Sequence, residues 1–355
     1  MTDEFLSKLK LIAPGTPIRQ GVDDILNAHG GALIVFAEDY KKHPLTFQVG
    51  FHLNEDFSPQ RLYELAKMDG AIVLNDEGEK ILAANTHLIP DPSIPSEETG
   101  TRHRSAERIA RQFNKLVIAI SRRRKTITVY YGSEKHVIGD VISLMNKVNQ
   151  ALNTYEKYRQ SFDKLLLQLD IAELEGSVTL REVCEILERA ALAMKIEEEA
   201  RRYLIELGTE GRLSKLTLDE MSEGVEDTVN LLILDYYNGD PDECDPETVR
   251  ERLKNLPEKE LLGFLSVARA LNYDVSSSQQ LGDVTVESHG FRILRRDSKI
   301  PMNIVTNVVR AFGTLERISQ ASLDQLKKVE GIGETRAAAI RRTIEMKKRQ
   351  NAVQG

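Results

Sequence analysis

Two clusters of cations and hydroxyls in the first third of the chain have the make-up of a polyphosphate site. Residues 99–105 read Thr-Gly-Thr-Arg-His-Arg-Ser, and residues 121–125 read Ser-Arg-Arg-Arg-Lys. The first lies where an amphipathic helix is predicted over 104–114, with Ala106, Ile109, Ala110 and Phe113 on one face. A helix N-terminus already carries about +0.5 charge, so Arg102, His103 and Arg104 are costly there unless an anion sits among them. Backbone N–H groups, two hydroxyls, the imidazole and the guanidinium forks could surround a chain of phosphates. The second cluster falls between two predicted strands and could converge on the same ligand. The plain alternative is a solvated basic turn, since exposed arginines are commonplace. At Asp69-Gly70-Ala71 a carboxylate and a permissive glycine precede a buried strand. One carboxylate at a strand edge could hold Mg²⁺ or Mn²⁺ against a nucleotide, because hard cations favour oxygen ligands and keep several waters. Judged alone, Asp69 also reads as an ordinary loop or cap aspartate.

The other constellation is the run 326–344, in which an apolar helix reaches Gly331-Ile332-Gly333 and an Ala-rich helix starts at once. Such a hairpin lets the backbone approach a partner, while unpaired N–H groups at the next helix point at an anion. Arg336, Arg341 and Arg342 add positive charge, a combination that suits a phosphate backbone rather than base edges. A simple packing joint between helices is the alternative. The charge distribution favours the first reading. The chain as a whole carries −7, yet from Arg292 onward fourteen Lys/Arg face six Asp/Glu, which leaves −15 on everything before. A basic module follows an acidic body. No GxxxxGK[ST] loop occurs, and Gly331-Ile332-Gly333 lacks the strand and third glycine of a dinucleotide loop, so any nucleotide site is of another kind.

The elements that must position these residues fall into three segments of a 355-residue chain with 41% hydrophobic and 29% charged residues. The fold class expected is multidomain, α/β followed by all-α. Over residues 1–139, β-rich runs at 31–38, 71–75, 80–88, 116–121 and 126–131 predict a mixed sheet, with hairpin chemistry at Asp76-Glu77-Gly78 and a helix over 59–67 capped by Ser58. Residues 140–289 open with a heptad-like pattern, broken by Arg159, that predicts a spine helix roughly 50 Å long at ~1.5 Å per residue if it is continuous. Further helices are expected at 180–193, 196–207, 225–236 and 257–271. Residues 290–355 read as a small all-helical module with short turns, its last helix over 334–348. No window suits a membrane span and MTDEFLSKLK lacks a secretory h-region, so a cytoplasmic protein is expected. Cys184 and Cys244 form no CxxC unit, and the acidic loop at 239–243 lacks the full ligand spacing of a calcium loop.

The run 326–344 resembles the helix-hairpin-helix family, with Ala337 and Ile340 as its apolar anchors, and residues 308–322 look like the supporting first member of a paired arrangement lacking the Gly-apolar-Gly turn. Asp69-Gly70-Ala71, followed some thirty residues later by Gly100-Thr101-Arg102-His103-Arg104, is similar to the motif pair of diadenylate cyclases. A cyclase domain, a helical spine and a helix-hairpin-helix tail in that order resemble the bacterial DNA integrity scanning (DisA) family, although Ser105 stands where threonine is common. The resemblance implies that two ATP are joined into cyclic di-AMP with loss of two pyrophosphates. Asp69 would bind the metal and help activate a 3′-oxygen, Gly70 would let the nucleotide approach, and Leu88 would line the adenosine pocket. Thr101, Arg102, His103, Arg104 and Ser105 would hold phosphates, with Ser121, Arg122 and Arg124 on the distal ones. It also implies a homo-octamer with facing cyclase domains, and binding of branched DNA through Gly331, Ile332, Gly333, Arg336 and Arg341. Two rivals remain from the residues alone. One is a non-enzymatic DNA-binding repair scaffold. The other is a repair nuclease, which would ordinarily show several clustered acidic metal ligands instead of basic clusters around one aspartate.

Overall fold

Alternation inside short apolar runs builds the first part of the molecule. The computed structural model describes residues 2–354, with side chains for 2–349. Its eight strands are β1 (Leu33–Phe36), β2 (Phe47–Gln48), β3 (Phe51–Asp56), β4 (Ala71–Leu74), β5 (Lys80–Leu88), β6 (Leu116–Ser121), β7 (Thr126–Tyr131) and β8 (Glu134–Val137). They lie in the order β2-β5-β4-β1-β6-β7-β8, with β3 also on β5. β1 and β4 are parallel and the other pairs antiparallel, so the sheet is mixed. Along β1, Leu33 and Val35 face one side and Ile34 and Phe36 the other, and all four are buried. A sheet covered on both faces reads as a continuous apolar run, which is why these strands are visible in the sequence. One face packs on helices α1 (Asp3–Leu9) and α2 (Pro17–Asn27) through Phe5, Leu9, Ile18 and Val22. The other packs on Ala106, Ile109 and Ala110 of a helix over 101–113.

Helix α3 (Pro59–Leu65) starts as expected, with Ser58 Oγ accepting the Arg61 N–H and Pro59 in the first turn. Helix α4 (Thr101–Phe113) begins three residues earlier than its apolar periodicity suggests. Gly100 is its N-cap, and the Gly100 carbonyl accepts the Arg104 N–H at 2.8 Å, closing a first turn made entirely of polar and charged residues. Apolar periodicity does not register such a turn.

Helix α5 (Val141–Glu175) is continuous over 35 residues. Arg159 does not break it. Its side chain bonds Asp163 one turn on and the Met221 carbonyl at 2.7 Å, while the apolar seam runs past it. The stretches expected at 180–193 and 196–207 are one helix, α6 (Leu180–Leu207). They are followed by α7 (Arg212–Ser222), α8 (Val225–Tyr236), α9 (Pro246–Asn255), α10 (Glu258–Leu262), α11 (Leu265–Ala270) and α12 (Gln280–Asp283). The expected helix over 257–271 is thus two short ones, parted where Phe264 takes φ +60°. The tail holds α13 (Met302–Phe312), α14 (Leu315–Gln320), α15 (Leu323–Leu326) and α16 (Glu334–Gln354).

The chain groups into two compact units, Met1–Gln150 with Ala200–Leu216, and Ala151–Glu199 with Thr217–Gly355. The second unit holds the helical middle and the tail together. Leu231 and Leu234 of α8 share a core with Ile304, Val308, Ile318 and Ile340 of the tail helices. A buried ionic cluster reinforces this joint. Arg292 pairs with Asp170 and Glu173 of α5, and Asp235 of α8 accepts the backbone N–H groups of Gly290, Phe291 and Arg292 at 2.6–3.0 Å.

Candidate functional site

Strand register brings the scattered cluster residues to one edge of the sheet. Leu33 pairs with Ala71 in parallel and with Ala119 antiparallel, Ala71 pairs with Thr86, and Ser121 pairs with Thr126. The residues just before β4 (Asp69 and Gly70), the end of β5 (Thr86 to Leu88) and the turn 122–125 after β6 therefore emerge side by side. The first turn of α4 is held at this edge as well, where Arg102 Nη1 approaches the Ile120 carbonyl at 3.4 Å. Arg102 and Arg124 both act electrostatically on His103, which brings the two basic clusters within range of one imidazole.

Each position has a distinct state. Asp69 is exposed, and its carboxylate makes no hydrogen bond or ion pair. Gly70 sits at φ +92°, where a Cβ would come within 2.9 Å of the Asn85 carbonyl carbon and the Thr86 nitrogen, so only glycine lets the chain turn against β5 here. Leu88 is buried on the α4 face beside Phe47 and forms a wall rather than a free surface. Thr101, Arg102 and Arg104 are exposed, His103 and Ser105 half-buried. Arg104 reaches back to the Thr99 carbonyl at 3.1 Å. Ser121 Oγ accepts the Arg124 N–H at 3.2 Å, which shapes the turn, and Arg122 and Arg124 are exposed. No side chain caps α4, and its first turn holds no acidic residue. Its unpaired N–H groups and the Arg102 and Arg104 guanidiniums are all of one sign, the condition for holding an anion. Among the described residues no group of three or more His, Cys, Asp or Glu could hold a metal. A lone open carboxylate fits a hard divalent cation whose other ligands are phosphate oxygens and water.

Three partners of His103 were not legible in the sequence. Its Nδ1 lies 2.9 Å from the Tyr130 hydroxyl, which donates to Glu98 Oε1 at 2.8 Å, and Glu98 pairs with Lys135. Burial pushes the Tyr130 phenol well up, and Glu98 adds to this. Two buried polar atoms at this edge have no partner, Thr86 Oγ1 and His103 Nε2. Burial is the main cause that lowers the basicity of His103.

In the tail, Gly331 takes φ +85° with Ile304 packed against it, and Ile332 is buried in the tail core. Around a Cβ at Gly333 there is open space, and its φ is ordinary, so nothing inside the fold demands glycine there. Arg336 bonds the Gly331 carbonyl at 2.7 Å and stays exposed. Arg341 differs. Its guanidinium reaches the Ser319 and Ala321 carbonyls at 3.4 and 3.1 Å, tying α16 to the end of α14. Lys347 likewise turns inward, to Asp170 at 2.6 Å and Asp297 at 3.0 Å.

Comparison with known proteins accounts for these three parts in chain order. Residues 19–135 match the DisA bacterial checkpoint controller nucleotide-binding (DAC) family, residues 138–280 the DisA checkpoint controller linker region, and residues 314–343 the helix-hairpin-helix motif. The DNA integrity scanning protein DisA of Thermotoga petrophila is 49% identical over 341 residues, covering 96% of each chain. That of Bacillus subtilis is 43% identical over 341 residues, covering 96% of this chain and 93% of its own. The chain belongs to the DisA family. Its nucleotide-binding match contains Asp69, the α4 N-terminus and the 121–125 turn, and its helix-hairpin-helix match contains the Gly331–Gly333 turn. As a DAC enzyme it falls among nucleotidyltransferases, which generally need a divalent metal. Among the described residues of this DisA-family chain, no helix is long and apolar enough to cross a membrane.

Proposed function

We propose that the chain condenses two ATP into cyclic di-AMP and two pyrophosphates, and that DNA held at the tail governs the rate. The observation that carries this reading is the convergence of Asp69, Gly70, Leu88, the first turn of α4 and the 121–124 turn on one sheet edge. In the reaction a 3′-hydroxyl of one ATP attacks the α-phosphorus of another, pyrophosphate leaves, and a second round closes the ring. Positioning and charge neutralisation do most of this work. Thr101 to Ser105 hold the phosphates at the α4 N-terminus, with Ser121, Arg122 and Arg124 on the distal ones. Gly70 lets the nucleotide lie close to the backbone, and Leu88 lines the adenosine side. Asp69 would hold Mg²⁺ or Mn²⁺, which when bound neutralises phosphate charge and activates the attacking hydroxyl. One site takes one ATP, so two cyclase domains must face each other, in keeping with a homo-octamer. The functional segments are 1–139 for the cyclase, 140–289 for the spine and 290–355 for DNA, in a cytoplasmic protein. Incubation with ATP and either metal, followed by mass spectrometry of the product, tests the assignment. No cyclic di-AMP would overturn it.

Changing Arg102 and Arg104 together to Ala removes two guanidiniums that neutralise ground-state phosphate charge. ATP affinity should fall by about 10–100-fold, or ~1.4–3 kcal/mol, by calorimetry. Unchanged affinity would reduce the cluster to a solvated turn.

At the tail, the backbone N–H groups around Gly331 to Gly333 and the Arg336 side chain meet the DNA backbone, while Arg341 serves by bracing the hairpin. Gly333→Ala should leave the melting temperature unchanged, because the methyl group has room. It should still weaken DNA binding by about tenfold on any sequence, since it stands between backbone and phosphate. A loss confined to particular sequences, or no loss, would move the interface elsewhere. The preferred DNA is branched, because a hairpin that grips backbone reads shape better than sequence.

A further inference from the structure

His103 has one ring nitrogen engaged and one idle, and the engaged side decides the state of the idle one. Tyr130 stands between the imidazole and Glu98, at 2.9 and 2.8 Å. Burial would raise the Glu98 carboxyl, but its bonds to Lys135 and Tyr130 outweigh this and keep it below the usual range. An ionised carboxylate can only accept, so the Tyr130 proton points to Glu98 and its oxygen has only lone pairs left for the ring. Nδ1 therefore carries the ring proton, and in the neutral imidazole Nε2 is a bare lone pair. That atom is buried and unpartnered. The charged groups acting on the ring are Glu98, which favours its protonation, and Arg124, Arg102 and Lys135, which together with burial oppose it. The free protein therefore holds a neutral ring at neutral pH.

A bare lone pair repels phosphate oxygens, whereas a protonated Nε2 donates to them. Bound phosphate also neutralises Arg102 and Arg124, the same two side chains that suppress protonation in the free protein. We propose that Tyr130 and Glu98 are positioning residues that make His103 a proton-coupled phosphate ligand. Nε2 takes one proton from solvent as the polyphosphate binds, donates it in a hydrogen bond to a phosphate oxygen, and returns it when the phosphates leave. This rests on reading the α4 N-terminus as the ATP phosphate site.

The test is calorimetry of the full-length protein with Mg²⁺ and the non-hydrolysable analogue α,β-methylene-ATP near pH 8, in buffers of different ionisation enthalpy. The dependence of the heat on the buffer counts protons taken up per site. The wild type should take up more than His103→Asn, by a difference approaching one proton. Glu98→Gln should bind the analogue yet lose most of that uptake. The neutral amide frees the Tyr130 proton to face Nδ1, so the ring already carries a hydrogen on Nε2. Tyr130→Phe, which removes only the hydroxyl, should likewise lower the count. A merely structural role would lower affinity in these variants and leave the proton count unchanged. Equal uptake in wild type and His103→Asn, or wild-type uptake in both Glu98→Gln and Tyr130→Phe, overturns the inference while leaving the nucleotide site intact. No binding of the analogue to the wild type overturns the site reading and the inference with it.

Discussion

Asp69→Asn should lower cyclic di-AMP synthesis by about 10³-fold or more, equivalent to ~4 kcal/mol of barrier, while ATP still binds. The side chain is exposed and makes no hydrogen bond or ion pair, so the amide is accommodated without strain and the fold is untouched. What disappears is the negative oxygen donor next to Gly70. Phosphate binding is assigned to the opposite partner, the cationic first turn of α4, so affinity and turnover should separate in this variant. Product formation by mass spectrometry at saturating ATP, alongside calorimetric affinity, makes the distinction. Near-wild-type synthesis would remove Asp69 from the reaction. A collapse of ATP affinity without loss of turnover would make it a binding residue instead.

The second large effect should come from Arg292→Met, in the unit that holds the tail. Arg292 is buried and pairs with Asp170 and with Glu173, the latter at 2.6 Å, while Tyr236 donates to Glu173 at 2.6 Å. Burial works against its charge, but Glu173, Asp170 and Asp235 more than compensate and hold the guanidinium firmly protonated. Removing it leaves carboxylates buried without their counter-charge, a loss of about 3–5 kcal/mol. Scanning calorimetry should show the unit containing the tail melting well below the wild type. Adding Glu173→Leu should recover part of the loss, since an apolar pair of similar volume in place of a buried ion pair is often neutral or better. Lys347→Met should cost less, because Asp170 keeps Arg292. A melting curve unchanged by Arg292→Met would show the ionic cluster to be dispensable. If DNA acts on synthesis through this joint, a four-way junction should slow the wild type more than an equal-length duplex does, and the difference should vanish in Arg292→Met.

Local chemistry, which a sequence displays directly, determined much of this protein. β1, β4, β6 and β7 are visible because a sheet buried on both faces demands near-continuous runs of β-branched and apolar residues, and β5 because buried and exposed residues alternate along its second half. The Ser58-Pro59 helix start, the Gly78 turn and the Gly331-Ile332-Gly333 hairpin follow from caps and glycines acting on their own neighbours. The 99–105 cluster stands out because cations at a helix N-terminus are costly without an anion, whereas Asp69 and the 121–125 turn look ordinary alone and are marked by the motif they share with that cluster. β3 and β8 went unseen for the converse reason. All six residues of β3 are exposed, with only Phe51 and Leu53 apolar before a polar second half, and β8 is at most half-buried, so neither carries a sustained apolar pattern.

Only the tertiary structure decided which of these residues meet. Pairing of β1 with β4 and β6 is a choice among long-range partners, and no residue type encodes it locally, yet it alone brings Asp69, Thr86 and the 121–125 turn to one edge. Cations alike in sequence part company in space. Arg336 stays exposed, whereas Arg341 is tied to the α14 carbonyls and Lys347 to Asp170. The tail joins the helical middle in one unit because Asp235 and Leu231 on α8 face residues 55 to 109 positions away, a separation across which sequence spacing carries no signal. The Glu98–Tyr130–His103 chain is of the same kind. Each member looks ordinary in its own segment, and its chemistry arises from a hydrogen-bond path that only the folded sheet closes.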